Sequence, residues 1–496
     1  MQTNGTTIIG RTSPRKDGNA VSDLNLLFIT TDQQRWDSLP CYGRAFVRTP
    51  NLDRLAAEGI VFDHCYTASP VCVAARAALL SGQWPSTTGV LGNSQQLAPG
   101  VPTWPKLLTD AGYLTAAIGK MHFNPWDARN GFLERISAED KRHVYLQDDF
   151  VKFLHLHGYE RVHPTQNPGY FESLGAPVTP LPKRFHVDAY VGDQAADWLV
   201  RHGRERFAAW VSFPGPHDPY DPPEEMATMY RDAPIPPPIG SRAELETKPR
   251  AQRKAGQNAR ENPMYQIDPT LATPEQIRRW REHYFANISL IDEGIGKILN
   301  ALAATGALER TVVVFTSDHG DALGDHGLPY KSFFYDSMAR VPLIIRAPDG
   351  VHGQRCSSLV SHLDLLPVIY QTCGLERPPT LEGVDLSPLL RNPAGTVRET
   401  VYSEIMGRVM VRDNRYKYVH YVDGDRELYD LASDPTEENN LANLPTLASE
   451  QARLQGLLIE HSLRQHVHRA MPIEMPPEPP RAKIEAEFRR RLLTEQ

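Results

Sequence analysis

The sequence predicts an α/β protein: a large mixed, mostly parallel sheet flanked by helices, then a small C-terminal antiparallel sheet with one helix. Two observations point there. Along most of the chain, apolar and β-branched runs of strand length alternate with segments of helical periodicity. From about Glu399 the character changes to short alternating runs separated by turn pairs such as Asp413-Asn414 and Asp423-Gly424.

The strand candidates are residues 24–31 (LNLLFITT), 114–118, 207–213 (FAAWVSF), 311–316 (TVVVFT) and 341–346 (VPLIIR). Such nearly continuous apolar runs suit strands covered on both faces. Helices are expected at 51–58, 74–80, 105–111, 191–201, 274–304 and 363–373. Two segments break the rhythm. Residues 127–186 are rich in His, Tyr and charge, and residues 221–273, with PIPPPIG and KPRAQRKAGQNAREN, are Pro-rich and polar. They read as exposed loops that shape an entrance or a subunit contact, or as merely tolerated surface insertions. The C-terminal runs VYSEI, RVMVR, YKYVHYV and ELYDL form the small sheet, followed by a helix over 447–461. The expected organisation is a disordered tail at 1–20, an α/β domain at 21–395, a sheet-and-helix subdomain at 396–465 and an extended arm at 466–496.

At 496 residues the chain can bury a deep core. Its net charge of −7 argues against a nucleic-acid surface, so any anionic substrate must meet a local cationic pocket. The five cysteines are scattered without a CxxC pair, which suggests neither a disulfide framework nor a structural zinc knuckle. The first twenty residues are polar, and no run approaches a membrane span. A cytoplasmic protein is expected, with no membrane or nucleic-acid partner.

Open α/β sheets bind ligands beyond the carboxyl ends of their strands. Here LNLLFITT leads to Asp32 and Gln33, TVVVFTS to Asp318 and His319, LTAAIG to Lys120 and His122, and FAAWVSFPGP to His217. Asp32, Gln33, Asp318 and His319 make a plausible site for one divalent ion. Oxygen donors favour calcium or magnesium and the imidazole tilts towards manganese, so calcium and manganese rank together. An Asp after a strand is commonly only a turn residue or helix cap. Two such pairs beside a nucleophile weaken that reading. The nucleophile segment is SPVCVAARAALLSG, where Cys72 falls at a helix start whose amides and dipole favour negative charge. Arg76 lies one turn on, on the same face. A lone cysteine beside an apolar run is usually inert; Arg76 and the acids at the strand ends argue otherwise here.

Cys72-Val-Ala-Ala-Arg76, followed by Leu80-Ser81-Gly82, resembles the sulfatase signature, in which the cysteine is converted to formylglycine. TPNLDRLA from Thr49, GKMH ending at His122, PHDPY containing His217, SDHGD containing Asp318, GDHGL from Gly324 with Lys331, RVPL from Arg340 and ELYDL from Glu427 resemble further landmarks of that family. Together, in order, they are specific. The resemblance implies the alkaline phosphatase superfamily fold and a formylglycine-dependent hydrolase of small-molecule sulfate esters, matured by a formylglycine-generating enzyme. It implies metal ligation by Asp32, Gln33, Asp318, His319 and matured Cys72. Arg76 and His122 would position the aldehyde hydrate, Lys120 and Lys331 would grip substrate oxygens, and His217 would be the general acid. A homo-oligomer is expected. Ala74 stands where the usual signature carries Pro. The Asp32-Gln33 pair resembles the phosphonate monoester hydrolase and choline sulfatase branches, so a phosphonate monoester or phosphodiester is the alternative substrate.

Overall fold

The computed structural model describes residues 23–240, 242–261, 272–466 and 473–474. Nine strands form the large sheet: β1 (Asn25–Asp32), β2 (Ile60–Tyr66), β3 (Leu114–Gly119), β4 (Glu134–Ser137), β5 (Phe207–Pro216), β6 (Thr311–Ser317), β7 (Arg340–Val341), β8 (Leu343–Arg346) and β9 (Gln354–Ser361). Their order is β9-β2-β8-β6-β1-β5-β3-β4, with β7 also on β2. Only β7 and β8 run against their neighbours. The sheet is therefore mixed and mostly parallel, as the apolar runs predict.

Every residue of β1, β5 and β6 is buried. Successive side chains leave a strand on opposite faces, so Leu27 and Ile29 enter one core while Leu26 and Phe28 enter the other. The first core is closed by α1 (Pro50–Ala57), α5 (Val187–His202) and α7 (Pro274–Ala304). The second holds Leu79 and Leu80 of α2 (Cys72–Ser81), with α3 (Trp104–Asp110) and α8 (Leu365–Thr372). The long α7 starts where Thr273 and Gln276 cap each other's backbone amides and Pro274 fills the first turn. Across the first core, α5 and α7 touch backbone to backbone: a Cβ on Gly192 would lie 2.6 Å from the Cα of Gly294.

Four further strands, β10 (Val401–Ile405), β11 (Arg408–Arg412), β12 (Tyr416–Tyr421) and β13 (Arg426–Asp430), make an antiparallel meander. It packs Val411, Tyr418 and Leu428 against Leu454 and Leu458 of α9 (Ala448–His466). Lys417 pins this sheet to the rest of the molecule, with its buried ammonium 2.9 Å from the Phe334 carbonyl and 2.6 Å from Glu437.

Several sequence expectations need correction. The polar 221–273 segment is not simply loop, for it contains a 3-10 turn (Arg242–Thr247) and the helix α6 (Arg250–Glu261). Its polar groups mislead because some are buried partners of the small sheet. Gln252 donates to Glu427 at 2.9 Å, and Lys248 to the Tyr429 hydroxyl at 3.0 Å. Residues 127–186 likewise hold β4 and α4 (Asp149–Leu156), the latter capped by the Asp148 side chain. The expected strand at 341–346 is split at Pro342, which has no amide to donate to a ladder. Strands β2 and β9 escaped notice because His64, Arg355 and Ser358 interrupt their apolar character. The tail at 1–20 lies outside the described residues, as does most of the 466–496 arm; Ile473–Glu474 pairs antiparallel with Gln95–Gln96. Among the described residues, no helix is long and apolar enough to cross a membrane.

The Gly192–Gly294 crossing is tight enough to test the packing. Gly192→Ala is expected to lower unfolding free energy by about 1–3 kcal/mol, because helix backbones must separate to admit the methyl group. Urea unfolding followed by far-UV circular dichroism reads the loss.

Candidate active site

The parallel centre of the sheet brings the polar groups together. Thr31 is in register with Ser317 on one side and Phe213 on the other. Asp32, Asp318 and the residues after Phe213 therefore emerge at one sheet edge. The ends are sewn together: the Asp318 amide donates to the Thr31 carbonyl at 3.1 Å, and the Gln34 amide to Ser317 Oγ at 2.8 Å. The helix α2 opens at the same edge with Cys72 as its first residue. Gly82 ends it in the left-handed region at φ 70°, where a Cβ would meet Leu381 at 2.1 Å.

Cys72 Sγ lies 3.2 Å from His319 Nε2 and 3.8 Å from Asp32 Oδ1. One ligand atom from each of Asp32, Cys72, Asp318 and His319 falls within 4.8 Å of all the others. The two carboxylates divide their oxygens between two tasks. Asp32 Oδ2 faces cations, Arg76 at 3.1 Å and Lys120 at 2.8 Å, while its Oδ1 faces Cys72 and His319. Asp318 Oδ2 takes Arg76 Nε at 3.0 Å, and Oδ1 accepts the amides of Gln33 and His319.

Arg76 and Lys120 are wholly buried, and their hydrogens are committed inward. Arg76 also donates to the Lys120 carbonyl at 2.6 Å and to Ser212 Oγ at 2.9 Å. Lys120 spans Asp32 and Asp140, 2.8 Å from each. Burial and Cys72 push the Asp32 carboxyl up, but the ammonium groups of Lys120 and Lys331 hold it below the usual carboxylate range. Burial and the charge of Asp32 raise Asp318. The turn that delivers Lys120 and His122 needs Gly119 at φ 96°, where a Cβ would meet the Ser212 carbonyl at 2.1 Å. Glu139 secures it by accepting the amides of Met121 and His122.

A second set of cations lies further out. Lys331 Nζ is 2.9 Å from Cys72 Sγ and 2.9 Å from His217 Nε2. Arg142 joins it, 3.3 Å from His217 Nε2 and paired with Asp140 and Asp218. Lysine and arginine only donate, so His217 Nε2 is an acceptor and Nδ1 carries the proton, donated to the Asp218 carbonyl at 2.8 Å. Burial raises the Cys72 thiol, but Lys331, His319 and a hydrogen bond from His122 bring it well below the usual thiol range.

The donor set fits a divalent cation: two carboxylates, one imidazole and the buried amide of Gln33. Gln33 Oε1 is buried without a hydrogen-bond partner among the described residues. An orphan of that kind costs about 1–3 kcal/mol, which a cation would offset.

The structure thus brings all ten sequence-predicted residues, Asp32, Gln33, Cys72, Arg76, Lys120, His122, His217, Asp318, His319 and Lys331, to one edge of the sheet. It differs on two contacts. Arg76 meets the carboxylates, and Lys120 is enclosed by acids. Asp140, Arg142, Ser212, Asp218, Tyr220 and Asp321 were missed. Asp218 and Asp321 sat inside motifs already singled out, but Asp140 and Arg142 lie in an irregular stretch with no sequence signal.

Residues 24–375 match the family model described as Sulfatase. The chain belongs to the sulfatase family. Residues 324–464 also match the family described as N-sulphoglucosamine sulphohydrolase, C-terminal. This sulfatase-family chain is 33% identical to a choline-sulfatase of Rhizobium meliloti over 452 residues, 87% of this chain and 84% of that protein. It is 28% identical to an N-acetylglucosamine-6-O-sulfatase of Bacteroides thetaiotaomicron, over 88% and 86% of the two. The fold matches the phosphonate monoester hydrolase of Agrobacterium radiobacter with a TM-score of 0.79 at 24% identity, covering 92% of this chain and all of that one. The architecture is that of the phosphonate monoester hydrolase fold, and the protein is a hydrolase of the sulfatase type.

Because Arg76 bonds both Asp32 and Asp318, its removal leaves buried negative charge uncompensated. Arg76→Ala is expected to cost about 3–5 kcal/mol of stability in metal-free protein, against a much smaller loss for a surface arginine such as Arg464. Chemical denaturation in the presence of a chelator measures the difference.

Proposed function

We propose that the protein hydrolyses sulfate esters, with Cys72 matured to formylglycine as the nucleophile beside one divalent ion, calcium or manganese. The observation that carries the reading is the position of Cys72 Sγ, among Asp32, Asp318 and His319 on one side and 2.9 Å from Lys331 on the other. A metal held by Asp32, Gln33, Asp318 and His319, with the matured Cys72 oxygen, would supply Lewis acidity at that point. An aldehyde hydrate places two oxygens on one carbon, one to attack sulfur and one whose collapse expels the inorganic anion, which neither Ser nor Cys offers.

The remaining work falls to the side chains. Asp32 and Asp318 stay anionic because Arg76 and Lys120 hold their outer oxygens, so Lys120 acts on the site through a carboxylate. Lys331 and His122, both half-buried and bonded to Cys72, hold the reacting group and the substrate oxygens. His217 passes a proton to the leaving alcohol. At rest its Nε2 accepts from Lys331, so the Lys331–His217 pair shares the proton that is delivered. Arg142 and Asp218 keep the ring in place.

Cys72 is buried in the folded chain. Its oxidation by a formylglycine-generating enzyme is therefore best placed before folding closes the site. All five cysteines are unpaired, which suits a reducing cytoplasm. The second reading, hydrolysis of phosphonate monoesters or phosphodiesters at the same site, is favoured by the Asp32-Gln33 pair. Sulfate is placed first because the 33% identical relative is named a choline-sulfatase.

Mass spectrometry of the Cys72 peptide should find the aldehyde in active preparations. Cys72→Ala should lose roughly 10³-fold or more of aryl sulfate turnover; full activity in that variant or with an intact thiol refutes the mechanism. Exhaustive chelation should abolish turnover, and calcium or manganese should restore it. Initial rates on an aryl sulfate and the matching aryl phosphonate separate the two substrate readings.

A further inference from the structure

An amide side chain has two ends of nearly equal shape and opposite polarity. A Gln beside a cation is useful only if its oxygen faces the ion, since a half-turn about the last torsion presents N–H donors instead. Something must decide between the two. At Gln33 the deciding contact is on the page. Nε2 donates to Asp321 Oδ2 at 2.6 Å, and the Tyr220 hydroxyl donates to the same oxygen at 2.7 Å. Asp321 Oδ1 accepts the Leu323 amide at 2.9 Å. Asp321 is wholly buried, and each of these partners is a neutral donor. A carboxylate only accepts, so it bonds the nitrogen end of the amide and turns the oxygen end away. That oxygen, Gln33 Oε1, is the buried atom left without a partner among the described residues. The backbone adds to the constraint, for Gln33 sits at φ 69° with its amide donating to Asp318 Oδ1 at 3.0 Å.

We propose that Asp321 and Tyr220 are positioning residues, a clamp that selects the oxygen face of the Gln33 amide for a divalent cation. The inference rests on the metal-site reading above and extends it to two residues outside the ligand set. Tyr220 lies three residues beyond His217, so one short segment supplies both the ring beside the leaving group and the hydroxyl that steadies the ion's amide ligand. The Asp321 carboxylate bonds Gln33, Tyr220 and the Leu323 amide.

The substitution that tests the clamp keeps its shape and changes its polarity. Asp321→Asn brings a donor where only acceptors stood, which lets the Gln33 amide turn over. Affinity for Mn²⁺ or Ca²⁺ alone, measured by competition with a chromophoric chelator and by metal content after dialysis, should fall about 10–100-fold, the scale on which groups supporting metal ligands act. Tyr220→Phe removes one donor without offering a competing one and should lose only severalfold. The double variant Gln33→Glu with Asp321→Asn is the rescue: one carboxylate oxygen accepts from the new amide and the other is free for the ion. It should recover most of the affinity. Circular dichroism and metal-free melting temperature identify a variant that has simply misfolded, and the rescue arm then decides the matter. Wild-type protein that holds no divalent ion overturns the metal site and the clamp together. Ion binding by wild type that is matched by Asp321→Asn, or a loss that the double variant does not repair, overturns the clamp alone.

Discussion

Two buried carboxylates at adjacent strand ends must be accommodated within a few ångströms of each other and of Cys72. Much of the rest of the molecule serves that constraint. Isolated carboxylates in a dry interior would protonate or unfold their surroundings. Here each gives one oxygen to Arg76, and Asp32 shares Lys120 as well. These cations take Oδ2 of each carboxylate, which leaves Asp32 Oδ1 facing Cys72 and His319. The parallel register of β1, β5 and β6 makes this possible by ending three strands level with one another.

The positive charge around the nucleophile is layered. Arg76 and Lys120 form an inner layer, fully buried and bonded to acids and backbone, whose effect on chemistry runs through Asp32 and Asp318. Lys331 and Arg142 form an outer layer, only half-buried. Two lysines that look equivalent as motif residues therefore differ in kind: one stabilises the ligand set, and the other can meet a substrate anion. An acidic chain can bind an anion in this way, since its net charge says little about a site whose half-buried side presents Lys331.

Much of the fold was legible because its strands and helices carry strong periodic signals. The α7 boundaries, 274–304, follow from Pro274 and the apolar spacing, and Cys72 opens its helix as the SPVC run implies. What failed to show was structure built from polar residues. The helix Arg250–Glu261 reads as a linker until Gln252 is seen against Glu427. Strands β2 and β9 are marked by each other more than by composition. Asp140 and Arg142 have no recognisable spacing, since their importance comes from bonding Lys120 and His217 across more than seventy residues of chain in the second case.

By itself the sequence determined the residue types at the strand ends, the cysteine at a helix start and the family to which these belong, because such features are local or follow from order along the chain. Only the tertiary structure decided how the charges pair. Whether Arg76 turns to the sulfur or to the acids, whether Lys120 is open or enclosed, and which end of the Gln33 amide is left unpartnered depend on contacts between segments 20 to nearly 290 residues apart. The physical reason is that a hydrogen bond is settled by distance and direction in space, and chain order constrains neither once the partners lie on different strands.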